Sequence, residues 1–260
     1  MSDDNLKPDD VSQPLVAHLT ELRDRLLRGI LAVLIIFLCL FSFANEIYTI
    51  ASEPLRQFLP EGTSMIATEV ASPFLTPFKL TLFASIFLAI PFLLHQVWSF
   101  IAPGMYRHEK RLAIPILASS VLLFYAGILF AYYVVFPLVF GFFTSVAPEG
   151  VTIMTDINSY LDFILKLFFA FGIAFEIPIA TILIVATGMS TADSLAAKRP
   201  YVIIGCFVVG MLLTPPDIIS QTLLAIPVWL LFEIGIIASR FITKKNIPDS
   251  ETKNESGEAS

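Results

Sequence analysis

The stretch LAIPILASSVLLFYAGILFAYYVVFPLVFGFFTSVAP, Leu112 through Pro148, runs for 37 residues without a charge. About 20 predominantly apolar residues carry a helix across the hydrocarbon of a bilayer, so this run holds a complete crossing. Its two flanks differ. Arg107, Lys110 and Arg111 precede it, whereas Gly141–Thr155 has no base. The same asymmetry recurs in both directions along the chain. Arg23, Arg25 and Arg28 lie before the first apolar stretch, Lys198 and Arg199 between the fourth and fifth, and Arg240, Lys244 and Lys245 after the last. The alternate gaps hold Arg56, outnumbered by Glu46, Glu53, Glu61 and Glu69. Bases in short loops mark the cytoplasmic side. The pattern predicts an all-α membrane protein with six transmembrane helices and both termini in the cytoplasm.

Bulk properties agree. Mean hydropathy is +0.80, and 56% of residues are apolar, more continuous apolar sequence than a soluble domain of this length buries. The net charge of −6 sits in tails and outer loops and gives no basic surface for nucleic acid. Cys39 and Cys206 fall inside apolar stretches, without metal spacing or a disulfide framework. Asp3, Asp4, Asp9 and Asp10 stand where a cleavable signal would carry bases.

Residues 1–13 are expected to be a disordered cytoplasmic N-terminus and 241–260 a disordered cytoplasmic tail. Residues 14–240 form the transmembrane domain, opened by an amphipathic helix in which Leu15, Leu19, Leu22 and Leu26 recur at helical spacing. Crossing one is placed at about Leu26–Ala44, followed by an outer loop, Asn45–Ser72. Crossings two, three and four are placed at Phe74–Phe100, Leu112–Phe140 and Ser159–Thr187. The last two, Tyr201–Leu213 and Ile218–Ser239, flank the turn Thr214-Pro215-Pro216-Asp217 and are expected to be short, with the bilayer thinned around them. A single re-entrant hairpin, leaving four full crossings, fits the same charges.

Three ionisable groups within the later spans stand out. Lys166 has Asp162 one turn before it, an i,i+4 pair near the outer end. Glu233 precedes Arg240 by seven residues, on the same face near the inner boundary. Glu176 lies near mid-membrane with no opposite charge within one turn; it is either protonated or faces a polar cavity or partner. Towards the cytoplasm, Glu21 and Glu109 are acids in basic segments. Their ordinary role is surface pairing, Glu21 with Arg25 and Glu109 with Arg107 or Lys110. Their sharper role is to bind an external guanidinium through paired hydrogen bonds. No phosphate-binding loop, zinc-protease motif or nucleophile elbow is present, so the chain is expected not to be an enzyme and to need no cofactor or metal.

HLTELRDRLL (His18–Leu27), VASPF (Val70–Phe74), QVWSFIAPGMYRHEKR (Gln96–Arg111), AFGIAFEIPIA (Ala170–Ala180), KRPYVIIG (Lys198–Gly205) and VVGMLLTPPDIISQTLLAIPVWLLFEIG (Val208–Gly235) closely resemble the TatC family of twin-arginine translocase subunits. Met105 replaces the more usual Leu of the family's PGLY turn. The resemblance implies a cupped, concave six-helix bundle in a bacterial cytoplasmic (inner) membrane. It implies binding of twin-arginine signal peptides of folded precursors, with TatA and TatB as single-crossing partners, self-association, and transport driven by the proton motive force. Glu21 and Glu109 match the family's signal-binding acids, and Arg23 and Phe100 match further residues of that site. Glu176 matches its intramembrane glutamate, while Pro54 and Asp217 match outer-face positions associated with translocation. The alternative is a proton- or cation-coupled small-solute transporter with Glu176 as its coupling carboxylate.

Overall fold

The structure, a computed structural model, describes residues 9–56, 66–101, 113–146, 156–214 and 218–245, with 9–18, 53–56, 101, 113 and 242–245 by backbone alone. Among them there is no strand beyond an isolated parallel bridge between Ile66 and Asp156. The helices are α1 (Asp9–Leu40), α2 (Ala44–Arg56), α3 (Ser72–Ile101), α4 (Ala113–Phe130), α5 (Phe136–Ser145), α6 (Ile157–Ala174), α7 (Ile177–Ala186), α8 (Ala192–Ala197), α9 (Arg199–Leu213) and α10 (Ile218–Lys245). Five helical stretches are long and apolar enough to cross a membrane: Leu19–Ser52, Ser72–Phe100, Ile114–Ser145, Ile157–Ala186 and Ile218–Phe241. A sixth, Arg199–Leu213, is shorter.

Several boundaries differ from those expected. The first helix begins at Asp9, inside the stretch 1–13 assigned to disorder. It continues through a 3-10 turn, Phe41–Phe43, into α2. Much of the expected outer loop is therefore helical, because α2 packs along α3 and gains tertiary contacts that local turn signals do not register. Pro54 lies on the backbone of α2. Only one of the last two helices is short. Fifteen residues in α9 rise about 22 Å, less than a hydrocarbon core of about 30 Å. The 28 residues of α10 exceed it. The turn residues 215–217, including Asp217, lie outside the described residues.

Two compact units divide the described residues. The first runs to Val121 and takes in α6 as far as Leu165; the second holds the rest. In the first, Phe37 of α1 meets Phe78 of α3 edge-on at 5.1 Å, and Gly29 lets α1 approach Leu93 closely. Buried hydroxyls on α3 bond within their own helix, Thr81 to the Pro77 carbonyl at 2.8 Å and Ser85 to the Thr81 carbonyl at 2.7 Å. Trp98 donates its indole N–H to Ser120 at 3.3 Å. Such internal satisfaction is required where no water is available. In the second unit α10 packs on α7 and α9, around fully buried Ile236.

Much of the surface is apolar. Leu38 is 64% exposed, Ile204 61% and Leu122 70%. Apolar exposure on this scale needs lipid as its solvent. The molecule is a multi-pass membrane protein.

Candidate functional site

At Glu21 the helix α1 faces the end of α3. Arg25, one turn on, donates to the Glu21 carboxylate oxygen Oε1 and, at 3.2 Å, to the backbone carbonyl of Gln96 on α3. The cation is the inner partner: its side chain is 18% exposed against 41% for Glu21. Arg25 also lines a cleft of about 410 Å3 with Leu22, Leu26, Leu93, Val97 and Phe100. Phe100 thus stands in the same apolar cleft as Arg25. Arg23 turns away to its neighbour Asp24, at 2.8 Å, and is largely exposed. Glu109 lies outside the described residues. The pairing of Glu21 with Arg25 expected from their spacing is present, with one addition that spacing could not reveal: the anchor on α3.

Glu176 occupies a break rather than the middle of a continuous helix. The Ile157–Ala174 helix stops two residues before it, and Ile177–Ala186 starts immediately after. Pro178, second in α7, has no N–H to continue the ladder. The Glu176 amide donates to the Ile173 carbonyl at 2.9 Å, an i−3 bond that tightens the turn. Glu176 is the N-cap residue of α7, in helical backbone conformation, and its side chain makes no capping hydrogen bond. Near the break, Ala170, Ala174, Ile177, Cys206, Gly210 and Leu224 wall an apolar cleft of about 140 Å3.

The remaining charges pair differently from the expected pattern. Asp162 bonds Lys79 of α3, a lysine not singled out from the sequence, and Lys166 is exposed. Glu233 takes a two-pronged bond from Arg199 at 2.5 and 2.7 Å, while Arg240 bonds Asp193 at 2.8 Å. Spacing along one helix proposes i,i+4 and i,i+7 partners; here the neighbouring helices supply better ones. Asp156, also not anticipated, ties the chain before α3 to the start of α6. Its carboxylate accepts from the backbone N–H and hydroxyl of both Ser159, at 3.0 Å each, and Thr68, at 3.1 and 3.0 Å. These bonds, the Ser159 amide first and the Thr68 amide next, hold its carboxyl down to about 2. An Asp directly before an apolar helical run is the signal that could have marked it.

The model of a family described as "Sec-independent protein translocase protein (TatC)" matches residues 17–227. The chain belongs to the TatC family. The TatC protein of Azotobacter chroococcum mcd 1 is 65% identical over 243 residues, 93% of this chain and 95% of that one. The TatC protein of Escherichia coli K12 is 59% identical over 234 residues, 90% of this chain and 91% of that one. A solved structure described as the twin arginine translocase receptor TatC superposes with a TM-score of 0.79 at 39% identity, covering 87% of this chain and 99% of that chain. A TatC protein is a translocase component, so the solute-carrier reading of Glu176 loses its basis.

Proposed function

We propose that this chain is the receptor subunit of a twin-arginine translocase in a bacterial inner membrane, with both termini in the cytoplasm. The observation that carries the reading is Glu21, a carboxylate more exposed than the Arg25 it pairs with, the same Arg25 that lines a cleft with Phe100, in a chain whose solved relative is described as a twin arginine receptor. In this account the two arginines of a precursor's signal dock on Glu21 and Glu109. Each carboxylate accepts the planar fork of a guanidinium. Phe100 offers its ring as a cation–π or apolar surface, and Arg23 completes the site.

The later steps follow from the membrane parts. The signal's apolar stretch enters the bilayer, and the Glu176 carboxyl at the break between α6 and α7 contacts a polar group on that stretch or on a TatA or TatB helix. TatA gathers where α9 is too short for an ordinary bilayer. Pro54 and Asp217 act on the outer side. The proton motive force supplies the energy, in keeping with a sequence that carries no nucleotide-binding loop.

The docking and transport roles separate experimentally. Glu109→Lys should weaken signal-peptide binding while the variant still inserts in the membrane, whereas Glu176→Ala should leave binding intact and reduce export. Full binding by Glu109→Lys removes that residue from the dock. Undiminished export by Glu176→Ala removes it from the mechanism.

A further inference from the structure

The placement of Arg25 exceeds what an ordinary surface ion pair requires. An exposed i,i+4 pair leaves both side chains mobile. Here the guanidinium is the more buried partner, is fastened to the Gln96 carbonyl of another helix, and forms part of an apolar cleft wall. The Gln96 carbonyl lies near the C-terminal end of α3, where the helix dipole favours a cation. Arg25 therefore stays in place when a ligand arrives. It takes Oε1 of Glu21, and among the described residues Oε2 accepts no hydrogen bond.

We propose that Arg25 is a specificity-determining residue of the docking site: by neutralising Glu21 from the inner side, it suppresses binding by charge alone and leaves binding by a guanidinium fork. The proposal rests on Glu21 being an arginine dock. An ammonium is a compact point charge, and what it gains depends on the net field of the site. Beside an Arg25–Glu21 pair that field nearly cancels. A guanidinium still gains two things: directional bonds to the remaining carboxylate oxygen, and stacking on an aromatic ring such as Phe100. The internal arginine thus works against lysine more than against arginine, which is how a repulsive element raises specificity at some expense of affinity.

The test uses the full-length protein in detergent, titrated with a two-arginine signal peptide and its two-lysine counterpart. Wild type, Arg25→Gln and Arg25→Lys are compared. Arg25→Gln keeps hydrogen-bonding capacity but frees the Glu21 charge. The lysine peptide should then bind tighter, and the arginine-to-lysine affinity ratio should fall by about threefold or more, the scale of a partly exposed ion pair. Arg25→Lys keeps the charge and should keep the ratio. An unchanged ratio in Arg25→Gln overturns the proposal. So does a ratio that falls only because arginine binding is lost, which would make Arg25 a mere strut. Should Arg25→Gln not purify as a monodisperse protein, Arg25→Lys decides: a collapsed ratio there also overturns it. Failure of the docking reading shows earlier, as a wild-type protein with no arginine preference.

Discussion

Asp156 shows how much one side chain can organise at the start of a span. Four donors from Ser159 and Thr68 converge on its carboxylate, and the Ile157 amide bonds the Ile66 carbonyl at 2.9 Å beside it. All four favour the ionised form, so the folded carboxyl titrates at about 2, below its ordinary 3.8. A lowered folded value means the stabilisation is complete above about pH 4 and is lost as pH falls through about 2. Backbone amides of residues 66–71 should accordingly lose hydrogen-exchange protection between those two values. In Asp156→Ala the protection should be weak already at pH 6 and should no longer respond to acid in that window. Retained acid dependence in the variant would assign the effect to another group.

At this same scale the sequence is least legible. Arg25 with Glu21 could be read from an i,i+4 spacing, but Lys79 with Asp162 lies 83 residues apart and Arg199 with Glu233 lies 34 apart. Spacing arguments reach only along one helix; partners chosen by packing stay out of view until the helices are placed.

Among elements, the long apolar helices were legible because about 20 apolar residues are a strong signal. The departures have local causes. In α2, Glu46, Glu53 and Pro54 resemble loop sequence, and contact with α3 makes the segment helical nonetheless. The break at Glu176 falls where Pro178 opens α7, within a run that is otherwise apolar. Helix-to-helix contact is set by small residues. A methyl on Gly235 would lie 2.9 Å from the Pro178 Cα and from Thr181, and one on Gly127 would lie 2.5 Å from the Phe171 carbonyl oxygen. Backbone cannot move aside as a side-chain tip can. Without a hydrophobic force between helices in lipid, such close approach supplies much of the attraction. Gly235→Val should therefore lower the midpoint of thermal unfolding in detergent, on the order of 1–3 kcal/mol of overpacking. Gly205→Ala, where nothing lies within 4 Å of the added methyl, serves as the control. Equal midpoints for the two variants would contradict the packing account.

For the molecule as a whole, the alternation of basic and base-poor gaps predicted a six-helix membrane protein, and the described residues hold five helical stretches long and apolar enough to cross a membrane and a shorter sixth. The proposed function condenses to one chemical claim: the Glu21 and Glu109 carboxylates distinguish the fork of arginine from the point charge of lysine. The most direct test is equilibrium binding of the detergent-purified chain to a two-arginine signal peptide and to the two-lysine peptide, with and without Glu21→Gln and Glu109→Gln. The account predicts tighter binding of the arginine peptide by wild type and loss of that preference when both acids are neutralised. Equal binding of the two peptides by wild type, or a preference that survives both substitutions, would contradict it.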